Sequence, residues 1–182
     1  MLKKIGAVLL ALGLCLPYGC DVRPIIGVWA EAWSVLYLGV PVLVAVAYVL
    51  HTLVPPLAGL LERNGPALHG VLRAVFFLLA GAYLAGVVTE KPDSLPDRAS
   101  TLIALVFSGA LLYWEQRRGT KAQRLPLLLL VIVGLPAVGY LAGFLRSGGL
   151  QYGGWVVTVG YMLAVAGEMR GLREAPIITH SG

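Results

Sequence analysis

Apolar residues fall along the chain in six blocks parted by short polar stretches. The blocks cover 5–19, 33–54, 71–88, 99–114, 125–145 and 150–167, and the second has an apolar approach from Ile25. A helix needs about 20 mostly apolar residues to cross the hydrocarbon core of a bilayer. The second, third, fifth and sixth blocks meet that length, and the first and fourth need help from their flanks. The pattern predicts an all-α, polytopic integral membrane protein with six transmembrane helices. After the double proline Pro55-Pro56, Leu57, Leu60 and Leu61 share one face of a short segment ending at Arg63. That spacing predicts an interfacial helix lying along the membrane surface. No polar stretch is long enough for a second, soluble domain.

Composition strengthens this picture. Apolar residues make up 58% of the chain and charged residues 13%, against about 45–50% and about 25% in soluble domains. Mean hydropathy is +0.83. The net charge of +5 would suggest a nucleic-acid partner in a soluble protein. In a membrane protein it follows from the positive-inside bias, and no nucleic-acid partner is expected.

The charges also orient the chain. With the N-terminal lysines in the cytoplasm and the spans alternating, ten cations fall inside: Lys3, Lys4, Arg63, Arg73, Arg117, Arg118, Lys121, Arg124, Arg170 and Arg173. Four fall outside: Arg23, Lys91, Arg98 and Arg146. Such an excess favours this orientation over its inverse. Trp29, Trp33 and Trp155 then lie at the outer interface and Trp114 at the inner one, where amphipathic rings anchor helices. Both chain ends are cytoplasmic. A bacterial inner membrane fits the lysine-led start and the loop charges.

The opening segment, residues 1–20, has three readings. Lys3-Lys4 and the apolar run behind them fit a retained transmembrane helix and equally the first parts of a secretory signal. Gly19-Cys20 matches the end of a lipoprotein signal, which would make Cys20 the lipidated residue, although Pro17 and Tyr18 depart from that pattern. Cleavage would leave five spans. Residues 21–182 form a single helical membrane domain in each case. Cys15 and Cys20 are the two cysteines of the chain, and they imply neither a disulfide framework nor a zinc site.

Candidate chemistry is sparse. Gly139 and Gly143 form a GxxxG, and Ala82 and Gly86 share that spacing, which lets two helix backbones approach closely. His51 and His69 are expected near the cytoplasmic face on neighbouring helices. They could ligate haem b or flank a quinone, although an interfacial imidazole meeting water explains them as simply. Glu31 sits between Trp29 and Trp33 at an interface, and His180 in a polar tail. Glu62, Glu115 and Glu168 are spaced 53 residues apart, but the residues between them do not align at that offset. Pro41, Pro55-Pro56 and Pro136 break or kink helices, as in some transporter sites. No ionisable group lies at the centre of a span, whereas proton relays and ion-coupled transporters need one there. Ser108 and Thr158 are the few hydroxyls within spans. No catalytic or metal-binding motif is present, so neither catalytic nor metal residues are assigned.

These features point to a non-catalytic membrane subunit, embedded in the lipid bilayer, that packs against other membrane subunits or itself and supports a larger complex. A small transporter or channel for a neutral solute is the first alternative. A haem- or quinone-associated electron-transfer subunit, resting on His51 and His69, is the second.

Overall fold

The computed structural model describes residues 1–16, 39–63, 65–89, 98–118, 121–147 and 152–174. Among these residues the protein is all-helical, with seven helices and no strand. They are α1 (Leu2–Cys15), α2 (Val40–Leu53), α3 (Pro55–Arg63), α4 (Gly65–Thr89), α5 (Arg98–Arg118), α6 (Lys121–Ser147) and α7 (Tyr152–Glu174). Each of the six apolar blocks contributes one helix, and the short segment after the double proline forms α3. Cys20, Glu31, Trp29, Trp33 and His180 lie outside the described residues.

Proline sets several boundaries. Leu16 precedes Pro17 and takes an extended backbone (φ −91°, ψ 154°). Val54 precedes Pro55 and does the same (φ −117°, ψ 91°). A proline ring clashes with a helical residue before it, so α1 and α2 stop there. Pro41, Pro55 and Pro66 fall in the first turn of α2, α3 and α4, where the missing N–H has no helical partner to lose. Pro126 and Pro136 lie inside α6. α4, α5 and α6 outrun their apolar blocks because the charged flanks join them: α4 starts at Gly65 and α5 runs on to Arg118. Arg, Lys, Glu and Gln propagate a helix well once it is nucleated. The fourth block, short by apolarity, thus becomes a helix of 21 residues.

α6 is the axis of the bundle. From Leu125 to Gly139 it is buried on every side, touched by α2, α4, α5 and α7. α1 lies along α7 and also touches α2. Successive long helices run up and down. Lys3 at the start of α1 meets Glu168 near the end of α7. Arg73 early in α4 meets Glu115 late in α5. The charge-rich ends therefore gather at one end of the bundle.

Apolar side chains also face outward. Val71, Phe77, Leu78, Leu84 and Val88 on α4, and Leu102, Ile103 and Val106 on α5, are exposed. Among the described residues, one stretch is both long and apolar enough to cross a membrane by itself: Ala67–Ala85 of α4, with mean hydropathy 1.7 and 22% of it buried. Val40–Leu53 and Arg124–Gly139 are shorter apolar stretches.

Candidate functional site

Two carboxylates are buried at the charge-rich end, each on a different seam of the bundle. Glu115 on α5 is fully buried, and Arg73 on α4 reaches across to it. The Arg73 Nη2 donates to Oε2 at 3.0 Å and to Oε1 at 3.3 Å. Arg73 itself is about a third open, at 37% exposure. A buried carboxylate without a cation would cost several kcal/mol, so this pair holds α4 and α5 in register. His69 sits one turn before Arg73 and feels the charges of Glu115, Arg73 and Arg124. The Arg117 guanidinium lies over the Tyr113 ring at 5.4 Å.

Glu168 on α7 forms the second cluster, at the junction of α1, α2 and α7. Lys3 approaches its Oε1 at 3.9 Å and is itself half exposed, so this is a loose pair. Tyr48 on α2 is fully buried. Its hydroxyl lies near both Thr52 and Glu168, but the Tyr48 and Thr52 hydroxyls stop short of hydrogen-bond geometry. Glu168 lies just past the sixth apolar block. Burial pushes its carboxyl above the usual carboxylate range, while the charge of Lys3 and a contact from Tyr48 pull the other way. The carboxyl can therefore hold a proton at a pH where a surface glutamate has lost it.

A third polar group lies at mid-height. Ser108, Gly134 and Tyr161 sit near the midpoints of α5, α6 and α7. The Tyr161 hydroxyl donates to the Leu130 carbonyl at 3.1 Å. The Ser108 Oγ is buried and makes no hydrogen bond. Gly134 makes room for both: a Cβ there would meet the Tyr161 hydroxyl and would lie 2.9 Å from the Ser108 Oγ. Two residues on, Pro136 removes the N–H that would otherwise bond the Ile132 carbonyl.

The closest helix packing is between α1 and α7. A Cβ on Gly6 would lie 2.5 Å from the Ala164 backbone N and 2.7 Å from the Gly160 carbonyl O. One on Gly160 would lie 2.7 Å from the Leu10 backbone N, and one on Gly167 2.5 Å from the Lys3 backbone N. Gly13 meets Val157 in the same way. Sequence reasoning missed this seam. Its signal was available: Gly6 and Gly13 on the first helix, and Gly160 and Gly167 on the last, share a spacing of seven.

The residues singled out from sequence fall on α2, α4 and α6. His51 is half-buried near the end of α2, one turn from Tyr48. His69 is half-buried near the start of α4, on the side of the Arg73–Glu115 pair. The charge of Glu115 reaches His69. No group of three or more His, Cys, Asp or Glu side chains capable of holding a metal occurs among the described residues. Gly139 is buried in α6, and Ala82 is half-buried on α4. Gly143 and Gly86 belong to helical backbone, and their surroundings lie outside the described residues. The buried Glu115 and Glu168 went unassigned because an acid at an inner helix end usually meets water.

No known family, curated protein or solved structure matches this chain.

Proposed function

We propose that the protein is a polytopic inner-membrane protein with six spans, in which α1 is a permanent helix, and that it serves as a non-catalytic structural subunit of a membrane assembly. One observation carries the membrane reading. The most apolar long helix, over Ala67–Ala85, is only 22% buried. A helix that is hydrophobic all round belongs in a protein core or in lipid. This one gives the core a single face, through Leu72, Phe76, Leu79 and Tyr83, and its Phe77, Leu78 and Leu84 point outward. The same holds for Leu102, Ile103 and Val106 of α5 and for Val159 and Met162 of α7. An exposed apolar face of this size on one helix is a surface for lipid or for another protein.

The up-and-down order of the helices supports the alternating topology, because Lys3, Arg73, Glu115, Arg124 and Glu168 collect at one end as the charge bias requires. The interlock of α1 with α7 supports retention of α1. Its loss would leave Gly160 and Gly167 facing a void along the length of α7. The subunit role rests on what the interior holds: two carboxylates each approached by a cation, the hydroxyls of Ser100, Thr101, Ser108 and Thr158, and otherwise packed aliphatic and aromatic side chains.

The test is fractionation followed by mass measurement. The chain is expected to stay with membranes through a carbonate wash, to keep a mass near 19.3 kDa, and to migrate in mild detergent with other polypeptides. Release by carbonate sinks the membrane reading. A shortened chain sinks the retained helix. A lone chain or a homo-oligomer sinks the subunit role.

A further inference from the structure

Glu115 and Glu168 are both buried near the charge-rich end, but they are held differently. Glu115 is closed: the Arg73 Nη2 lies 3.0 Å from one oxygen and 3.3 Å from the other. Glu168 is open on two sides. Toward α1 stands Lys3, half exposed and 3.9 Å away. Toward α2 stands the Tyr48 hydroxyl, with that of Thr52 beside it. Both hydroxyls are buried and neither makes a hydrogen bond.

The two sides answer different states of the carboxyl. A hydroxyl both donates and accepts, so the Tyr48–Thr52 pair suits the acid and the carboxylate alike. With the acid, the bonds run from Glu168 to Tyr48 to Thr52. With the carboxylate, they run in reverse. An ammonium only donates, so Lys3 serves the carboxylate alone. Burial favours the proton and the Lys3 charge opposes it. At Glu115 the guanidinium leaves no such choice, because it too can only donate.

The other charges near this junction are accounted for. Lys3 of α1 and Tyr48 of α2 act on the carboxyl. Lys4 of α1 is exposed, as is Arg170 on α7 itself, and His51 of α2 is half-buried one turn from Tyr48. From α6, Arg124 is exposed and acts on His69.

We propose that Glu168, Tyr48 and Thr52 form a reversible proton-binding site open to the charge-rich end, and that the bound proton decides whether Lys3 engages Glu168. With the proton bound, Glu168 donates to Tyr48, Tyr48 donates to Thr52, and Lys3 turns to solvent. With the proton released to solvent past Lys3, the hydroxyl bonds reverse and the ammonium closes on the carboxylate. The α1 backbone stays against α7 in both states, because Gly167 admits the Lys3 backbone. The site needs α1 in place, and so rests on the permanent α1 of the reading above.

Infrared spectra of the full chain in detergent, taken as parent minus Glu168→Gln across pH 4 to 9, isolate this carboxyl. Its protonated-acid band is expected to persist well above the surface glutamate value of about 4.3. Lys3→Gln should move the midpoint up by about one pH unit, because an opposite charge has gone. Tyr48→Phe, which keeps the carboxyl, should move the band in frequency by removing its hydrogen bond, and so identifies it even where Glu168→Gln does not fold. Amine labelling of Lys3 relative to Lys4 should fall about two-fold above the midpoint, the size of one exposed ion pair. A band that titrates like a surface glutamate overturns the proposal, as does a midpoint that Lys3→Gln leaves in place or a labelling ratio that ignores pH. The mass of the chain separates the two readings. A chain shortened at its start overturns both, whereas a full-length chain without the titrating band overturns this one alone.

Discussion

The α1–α7 seam and the α4–α5 seam join neighbouring helices by opposite means. α1 and α7 meet backbone to backbone, with Gly6, Gly13, Gly160 and Gly167 where side chains would collide. α4 and α5 touch sparingly, and the Arg73–Glu115 pair ties them at one end. The first seam draws on dispersion over many short contacts. The second depends on a single polar link and leaves large apolar faces outside. A seam of the first kind tolerates no added atoms. A seam of the second kind tolerates many, but not loss of its one pair.

The sharpest way to break this contrast is at the glycines. Gly160→Leu should force α1 off α7, because the new side chain meets the Leu10 backbone and the Leu9 Cβ. Overpacking costs about 1–3 kcal/mol where neighbours can yield, and here the neighbour is backbone, so folded protein in detergent should be largely lost. The same substitution at Gly81, which has open space around it, should leave yield unchanged. Equal yields from the two variants would refute the interlock.

Breaking the pair comes next. Arg73→Ala leaves Glu115 buried and uncompensated, at a cost of about 3 kcal/mol, toward the lower end because Arg73 is partly solvated. The double variant Arg73→Leu with Glu115→Leu should recover most of that loss. A double variant as unstable as the single one would assign the pair a role beyond cancelling charge.

Glu168 gives a smaller and pH-dependent effect. Its folded carboxyl titrates above its unfolded value because of burial. Its contribution to stability is therefore fully present below the unfolded value and fades as pH rises through the folded one. Glu168→Gln, which stays neutral, should flatten this dependence and melt higher than the parent at pH 8 but not at pH 4. Parallel melting curves across that range would contradict the assignment.

The mid-height hydroxyls give the smallest change. Tyr161→Phe removes one interhelical hydrogen bond, worth about 1 kcal/mol. Ser108→Ala removes a buried hydroxyl that has no partner and should be neutral or slightly stabilising. A large loss at Ser108 would mean that its hydroxyl meets something other than these helices.

Much of the fold was legible because hydropathy blocks and prolines are local signals. Pro55 ends α2 and starts α3 as its ring chemistry requires, and each apolar block holds one helix. The helix ends were less legible. Arg117 and Arg118 continue α5 past its apolar limit, since helix propagation does not depend on apolarity. The site was hardest to read. Glu115 and Glu168 look solvated in one dimension, and only the approach of Arg73 and Tyr48 from distant parts of the chain buries them. Likewise, the familiar GxxxG at Gly139 drew attention from the seven-residue spacings that form the tightest seam, because a pairing between the first and last helices leaves no trace in either one alone.

That pairing has a bearing on biogenesis. α1 leaves the ribosome well before α7. Until α7 has been made, the glycine-lined side of α1 lacks the surface it packs against. Closing a contact across almost the whole chain is slow compared with local helix pairing. Assembly of this protein should therefore have a late, all-or-none step, and truncation within α7 should send the entire chain, first helix included, to quality-control proteolysis.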